Sequence, residues 1–319
     1  MYFILCSNPG RLHSGFNDAL INGRSQFPGV NANETVMGRI LLSAIFLFCA
    51  VAATIRPSAD AAMTVLWQNM GPFESPESAA IDLVQEAIFV SNVSGYERNG
   101  AGFISRLSLD GEMVDRQWLA GLNAPTGLAV QGETLWVVDF DRLVEVDIPT
   151  ASVRRSYPVA DTDPLLNDIS VGPDGNVFVT GSASNTIYRL SDDQLLAWRR
   201  DDEILRFANG ISVSADHVIV AAYHLVKIDR SDGTITEPIG DPEHLYDLES
   251  VVSLCPGRYL ISVIGNRPLY SLEAGGRTVA IASHEPYLAD FDIARDMLVV
   301  PSGDMVVAFR LSESLHCDG

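Results

Sequence analysis

The chain has 319 residues, of which 47% are hydrophobic and 19% are charged, a balance typical of a globular protein rather than a disordered one. Its formal net charge of −20 and its pI near 4.5 would repel phosphate backbones and anionic lipid headgroups. These values exclude nucleic acid as an expected partner, and they are typical of a soluble exported protein.

The N-terminal region contains a segment organised like a secretory signal peptide. An apolar run at residues 40–55 follows Arg39 and precedes the small residues around Asp60, and it is short for a bilayer span. Met37 lies directly before this segment, so we predict that residues 1–36 are a non-native upstream extension and residues 37–62 the signal. The alternative is an uncleaved membrane anchor. The first interpretation predicts a periplasmic or secreted protein with no membrane span after cleavage, and we expect a monomer.

After residue 62 the sequence repeats a pattern of short strands about every forty residues. Each unit begins with a residue that opens an apolar strand, and we call these six residues the openers: Glu77, Thr126, Asn167, Asn209, Glu249 and Ala289. A second apolar strand, a third with alternating polarity and a fourth, more polar strand follow each opener. No segment here keeps a helical period. The pattern predicts an all-β, six-bladed β-propeller over residues 63–319, with four antiparallel strands in each blade.

The two ends of the repeat region predict how the ring closes. The last unit stops at Leu311 without a fourth strand, whereas residues 64–68 form a strand that precedes the first unit. We predict that this N-terminal strand completes the sixth blade, because closure removes two unpaired sheet edges. Cys255 and Cys317 are the cysteines that follow the signal, and the sequence leaves open whether they form a disulfide.

The openers are expected to converge, because the innermost strand of each blade runs along the central axis of a propeller. Glu77, Asn167, Asn209 and Glu249 would offer carboxylate and amide oxygens, which suit Ca²⁺ and also Mg²⁺, Mn²⁺ or Zn²⁺. The alternative is that backbone groups and ordered water satisfy these side chains without a metal. Two carboxylates facing each other across one channel would repel, which favours the cation.

These residues carry a resemblance to a known family. The segments that resemble the strand starts of the senescence-marker-protein/gluconolactonase propellers are Pro76-Glu77-Ser78, Leu166-Asn167-Asp168, Ala208-Asn209-Gly210 and Leu248-Glu249-Ser250. The resemblance covers nearly all of residues 63–311 and implies hydrolysis of sugar lactones or related esters. It also implies a divalent metal, with Ca²⁺ expected, held by Glu77, Asn209 and Glu249. Asn167 would contact substrate or metal-bound water, and Glu249 would act as general base.

The chain departs from this family at two positions. Glu249 stands where the family normally has Asp, and the extra methylene would move the carboxylate by about 1–1.5 Å. Leu165 stands where members often have an Arg that binds substrate hydroxyls. Asp247 is an alternative carboxylate if the strand shifts in register. Asp168 and Asp290 directly follow openers, so strict alternation along a strand would point them away from the axis, and we expect them to be turn or hydrogen-bonding residues.

The sequence therefore predicts an exported metal-dependent hydrolase acting on a small lactone or ester. It contains no Gly-x-Ser-x-Gly, His-Glu-x-x-His or P-loop motif that would indicate a competing chemistry. The alternative is a non-catalytic propeller that binds a ligand or a protein, with a structural metal or none. Glu249 and Leu165 are the two residues that keep this alternative open.

Overall fold

The structure is a computed structural model, and it describes residues 62–161, 164–236, 239–265, 268–273, 276–282 and 288–315. These residues all belong to one compact unit, Ile55–Gly319. The predicted upstream extension, residues 1–36, lies outside the described residues, as does the predicted signal peptide except for Ala62. No helix in the described ranges has the length and hydropathy needed to cross a membrane.

The described residues form six antiparallel four-stranded sheets arranged in a ring, which confirms the predicted six-bladed β-propeller. The first three blades consist of β2 (Pro76–Asp82), β3 (Ala87–Asn92), β4 (Gly102–Ser108) and β5 (Met113–Leu122); β6 (Pro125–Gln131), β7 (Thr134–Asp139), β8 (Arg142–Asp147) and β9 (Ser152–Pro158); and β10 (Leu166–Val171), β11 (Val177–Gly181), β12 (Thr186–Ser191) and β13 (Gln194–Arg200). The other three consist of β14 (Ile211–Val213), β15 (His217–Ala221), β16 (Leu225–Asp229) and β17 (Ile235–Thr236); β18 (Leu248–Cys255), β19 (Arg258–Val263), β20 (Leu269–Leu272) and β21 (Thr278–Ala282); and β22 (Asp292–Ala294), β23 (Met297–Ser302), β24 (Met305–Leu311) and β1 (Met63–Asn69). A short 3-10 helix, Glu313–Leu315, follows β24.

The N-terminal strand closes the ring, as the sequence predicted. β1 pairs antiparallel with β24, so that Thr64 lies opposite Arg310 and Val65 lies opposite Phe309. The sixth blade is thus built from both ends of the propeller, which leaves no unpaired edge between them. Cys255, at the end of β18, is disulfide-bonded. Cys317, the other cysteine that follows the signal, lies outside the described residues.

Among the described residues the hydrophobic core has six large clusters, each formed between two neighbouring blades, and a seventh small one around Phe140. Successive side chains of a strand point to opposite faces of its sheet, so one strand serves two clusters. On β3, Phe89 packs toward Leu135 of the second blade, whereas Ile88 packs toward Val306 of the sixth. The second strands are therefore largely apolar on both faces, and they hold the blades in a fixed arrangement around the axis.

All six blades run in the same direction from their innermost strand, so the openers all lie on one face of the ring. We call this the opener face. It also carries the loops between the second and third strands, because the second strand returns toward it. The turns between the first and second strands lie on the opposite face. Residues that precede an opener are therefore neighbours of the axial channel on the opener face.

Candidate functional site

The first strands of four blades are irregular at the opener. Their pairing with the second strand shifts in register between Pro76 and Ala79, Pro125 and Leu128, Leu166 and Ile169, and Leu248 and Val251. A β-bulge of this kind interrupts the alternation of side chains and bends the strand. Two consecutive residues of one strand, the opener and the residue after it, can therefore both approach the axis.

Three of these bulges leave a backbone N–H group without a partner in the strand ladder. Hydroxyl groups on the second strands accept hydrogen bonds from these N–H groups. A buried amide without a partner costs free energy, so each bulge needs such an acceptor. The three bonds run from Ser78 N to Ser91 Oγ (2.9 Å), from Asp168 N to Thr180 Oγ1 (3.0 Å) and from Ser250 N to Ser262 Oγ (3.1 Å). The bulges are thus hydrogen-bonded features of the blades.

Glu249 and Asn209 are brought together, although they belong to different blades. The Asn209 amide nitrogen, Nδ2, donates a hydrogen bond to Glu249 Oε2 at 3.2 Å. Glu249 is only 8% exposed. Burial and the neighbouring charge of Asp290 raise the pKa of Glu249 to about 7, and the Asn209 hydrogen bond opposes this shift. Glu249 is therefore able to gain or lose a proton near neutral pH.

Glu77 lies in the same cluster and has an oxygen without a donor. Its Oε2 atom is buried and accepts no hydrogen bond from any described residue. Burial raises the pKa of Glu77 well above its usual range, and the charges of Glu249 and Asp290 raise it further. This oxygen is thus a buried acceptor for which the described residues supply no donor, and a proton, a water molecule or a cation could occupy that place.

Asp290 lies between two serines that follow openers of other blades. Ser78 Oγ donates to Asp290 Oδ2 at 2.6 Å, and Ser250 Oγ donates to Asp290 Oδ1 at 2.5 Å. Asp290 is 8% exposed. Burial raises the pKa of Asp290, and the two hydroxyl donors counteract that effect. Asp290 therefore joins the first, fifth and sixth blades at the axis.

Asp168 also belongs to this axial cluster. Ile169 N and Ile211 N donate to its two oxygens at 2.6 and 2.8 Å, and Ile211 belongs to the next blade. Burial and the charge of Asp290 raise the pKa of Asp168 well above its usual range. Asp168 and Asp290 are hydrogen-bonded, as predicted. The expectation that they point away from the axis was wrong, because the bulge at Asp168 breaks the alternation and Asp290 precedes the first paired residue of β22. A sequence signal existed: the position after the opener is polar in Ser78, Asp168, Ser250 and Asp290.

Glycine occupies the position after the opener in the two other blades because neighbouring blades approach closely there. A Cβ atom at Gly210 would lie 2.5 Å from Ser250 Cα, and one at Gly127 would lie 2.6 Å from Asp168 Cα. Real Cβ atoms do not approach other carbons so closely. The first strands therefore form a tight ring, and the side chains that it contains are held in place by backbone contacts between blades.

The remaining sequence-selected residues lie around this cluster. Asn167, at the start of β10, is half-buried, and its side chain forms no hydrogen bond with a described residue. Asp247 lies just before β18 in the left-handed region, at φ 49°, whereas Glu249 lies within the strand. Leu165 packs against the small cluster that contains Phe140. Leu165 therefore makes apolar contacts on the opener face.

The donors at the axis fit a hard divalent cation. None of the ion pairs formed by described residues includes Glu77, Asp168, Glu249 or Asp290, so the cluster has no basic partner there. Within the same ranges, no three His, Cys, Asp or Glu side chains are arranged to hold a metal by themselves. The predicted ligand set differs from such a group, because it combines two carboxylates with the amide of Asn209. The unpartnered Glu77 Oε2 is the observation that favours a bound cation.

Comparison with known proteins supports the fold. No protein-family model and no curated protein matches this chain. Similar solved structures include a gluconolactonase from Xanthomonas campestris, with 15% identity, a TM-score of 0.59 and coverage of 78% of this chain and 89% of that one. A catalytically inactive virginiamycin B lyase from Staphylococcus aureus has 12% identity and a TM-score of 0.55, covering 78% and 99%. The WD40 β-propeller domain of Doa1 has 13% identity and a TM-score of 0.56, covering 76% and 81%. At these identities the similarity concerns the fold alone.

Proposed function

We propose that this protein is an exported, divalent-metal-dependent hydrolase of a lactone or small ester, related to the senescence-marker-protein/gluconolactonase propellers. The observation that carries the proposal is the axial cluster, in which Glu249 is buried against Asn209 and the buried Oε2 atom of Glu77 has no described donor, with no basic partner for either carboxylate among the described residues. The similarity in fold to a gluconolactonase agrees with this proposal. The strand-start segments identified in the sequence support the same family.

Glu77, Asn209 and Glu249 would hold the ion, and Ca²⁺ is the expected one, with Mg²⁺, Mn²⁺ and Zn²⁺ as candidates. When bound, the ion would supply a Lewis acid that polarises the carbonyl of the substrate. Asn209 presents its amide nitrogen to Glu249 in the present arrangement, so its side chain would rotate to offer the oxygen. The charge of four buried carboxylates gives this cluster a strong preference for a cation or for protons.

Glu249 would act as the general base. In the metal-free protein burial and Asp290 raise its pKa to about 7, and a bound cation would favour the ionised form that a base requires. It would take a proton from water while the water oxygen bonds to the carbonyl carbon. The carbon–oxygen bond of the ester then breaks, and the leaving alkoxide takes up the proton. Asn167, with a half-buried amide free of described partners, would donate a hydrogen bond to the substrate.

A non-catalytic ligand-binding propeller is the second candidate, and the contacts of Asp290 favour it. Ser78 and Ser250 satisfy both oxygens of Asp290 without a metal. The raised pKa values of the neighbouring carboxylates would also let bound protons neutralise the cluster. In that case the axial residues would stabilise the ring, and a ligand would bind elsewhere on the opener face.

Metal analysis and a hydrolysis assay distinguish the two candidates. The purified protein would be assayed on a panel of lactones and aryl esters, with a divalent ion or with a chelator. We expect turnover to require the ion, and we expect the ion to raise the melting temperature, since an ion at 100 times its Kd stabilises the native state by about 2.7 kcal/mol. Glu249→Gln should abolish turnover in a folded protein. Glu133→Gln, in the exposed turn before β7, is the matched control.

The outcomes separate clearly. Turnover that survives chelation would contradict metal dependence, and turnover that survives Glu249→Gln would contradict the role of this residue. A protein that contains no metal, shows no thermal response to Ca²⁺, Mg²⁺, Mn²⁺ or Zn²⁺ and hydrolyses nothing on the panel would favour the non-catalytic propeller.

A further inference from the structure

The opener face carries an arginine that lies against two aromatic rings. The guanidinium carbon of Arg206 lies 4.5 Å from the ring centroid of Tyr223 and 5.4 Å from that of Phe207. Tyr223 in turn meets His224 edge-on, with the ring centroids 4.8 Å apart. We call Arg206, Phe207 and Tyr223 the Arg206 cradle. Contact with two rings orients the guanidinium and removes part of its water shell.

The Arg206 cradle is linked through the backbone to the strand starts that carry Asn209 and Glu249. Phe207 precedes Asn209 by two residues in the same blade. Tyr223 donates its backbone N–H to Arg206 O at 3.0 Å, and its own carbonyl accepts the N–H of Asp247, also at 3.0 Å. Asp247 precedes Glu249 by two residues. The backbone therefore connects the cradle to the strand starts that carry both members of the pair.

The Phe207 side chain is exposed to solvent, and its backbone adopts an unfavourable conformation. Its side chain is 59% exposed, and its backbone is left-handed, with φ 58°. Bulky residues rarely adopt this region, and they persist there only where surrounding contacts hold them. Leu165 has φ 43° two residues before its own opener, so the conformation recurs in the fold. The backbone shape thus belongs to the propeller, whereas Phe207 is the exposed aromatic ring among the described residues that lie two positions before an opener.

The charge of Arg206 is available for a ligand. Arg206 forms no ion pair with a described residue. Arg98, also on the opener face, differs in this respect: it lies 5.0 Å from the ring centroid of Phe140 but pairs with Asp141 at 2.9 Å. A guanidinium presents a planar fork of donors that matches a carboxylate. The Arg206 cradle combines this fork with an exposed ring.

We propose that the Arg206 cradle is a binding subsite for an aryl carboxylate, with the carboxylate on Arg206 and the aromatic ring against Phe207. The identity of the substrate follows if the proposed hydrolase function is correct, and this part of the inference rests on that function. The substrate would be an aromatic ester or lactone that carries a carboxylate. The carboxylate would bind at the cradle, and the scissile carbonyl would lie toward Asn209 and Glu249. The strong negative charge of the whole chain makes a local cation necessary for holding such a substrate.

Binding of phenylacetate and phenylacetamide tests the subsite without requiring turnover. The two compounds have the same ring and nearly the same size, and they differ in charge. Isothermal titration calorimetry on the wild-type protein should show phenylacetate binding about tenfold more tightly or better, because a charged hydrogen-bonded pair outweighs a neutral one. Arg206→Gln should remove this preference. Phe207→Ala should weaken the binding of both compounds and leave the ratio of their Kd values unchanged.

Arg98→Gln is the matched control, since Arg98 also lies over an aromatic ring of the opener face. It should keep the preference for phenylacetate. Equal binding of the two compounds to the wild type, no binding of either, or an equal loss of preference in both arginine variants would overturn the inference. The titrations are repeated with chelator, so that binding at the cradle is measured even if the hydrolase proposal fails. Conversely, turnover of uncharged esters without phenylacetate binding would retain the hydrolase and reject the subsite.

Discussion

Replacing Glu249 with Gln should change how the stability of the metal-free protein depends on pH. The pKa of Glu249 is about 7 in the folded protein because of burial and the charge of Asp290, against a usual value of 4.5. Since the folded-state pKa is the higher one, the stabilisation from the protonated side chain is complete below pH 4.5. It is lost as the pH rises to about 7.

The size of the effect follows from the two pKa values. Each pH unit between 4.5 and about 7 corresponds to 1.36 kcal/mol, so ionised Glu249 costs the folded protein about 3 kcal/mol above pH 7. Gln cannot ionise, and it therefore avoids this cost. The substitution also removes the charge of Glu249, which raises the pKa of Glu77. The stability lost between pH 5 and pH 8 should thus be smaller in the variant by about 3 kcal/mol.

Urea denaturation followed by tryptophan fluorescence, with chelator present, measures this difference at pH 5, 6, 7 and 8. The exposed Glu133→Gln variant should follow the wild type at each pH. If Glu249→Gln and the wild type lost stability in parallel, burial and the charge of Asp290 would not be raising the pKa of Glu249. Adding Ca²⁺ at pH 8 should restore stability to the wild type and leave Glu249→Gln unchanged, since a cation offsets the same repulsion.

Three further substitutions test the packing that forms the axial site, and urea denaturation measures each of them. Gly210→Ala should cost about 1–3 kcal/mol, because its Cβ would lie 2.5 Å from Ser250 Cα; an unchanged midpoint would show that the blades are not in close contact. Thr180→Val should cost about 1–3 kcal/mol by leaving the Asp168 amide without its acceptor, and Thr180→Ser should recover most of the loss. Phe89→Ala should cost about 3–5 kcal/mol, since the ring is fully buried between two blades, and a loss under 1 kcal/mol would contradict that placement.

The propeller was predictable because its repeat is visible along the chain. The second strands, which contain residues such as Phe89 and Val179, are largely apolar on both faces of their sheets. This pattern returns with each unit. The closing strand was also predictable, because residues 64–68 form a strand and the last unit lacks one. Periodicity alone therefore fixes the number of blades and the way in which the ring closes.

The set of side chains that lie at the propeller axis was less predictable. Glu77, Asn209 and Glu249 were identified because they share one position in the repeat. Asp168 and Asp290 were missed as axial residues because alternation along an ideal strand places them on the other side, whereas bulges and strand ends do not obey alternation. A bulge depends on contacts across blades, such as Thr180 Oγ1 to Asn209 O at 2.6 Å, and these involve residues far apart in the sequence. The Arg206 cradle was missed for a similar reason, since Arg206 and Tyr223 meet only after folding.

Three local features place four carboxylates at the axis. Glu77 and Glu249 are openers, Asp168 follows an opener in a bulged strand, and Asp290 precedes the first paired residue of β22. The pKa of each is raised by burial first. Four such groups cannot all be ionised together without a cation, so the protein must hold either protons or metal at the axis. Because protons and a metal would compete for the same oxygens, the proposed metal binding should release protons, and metal affinity should rise with pH.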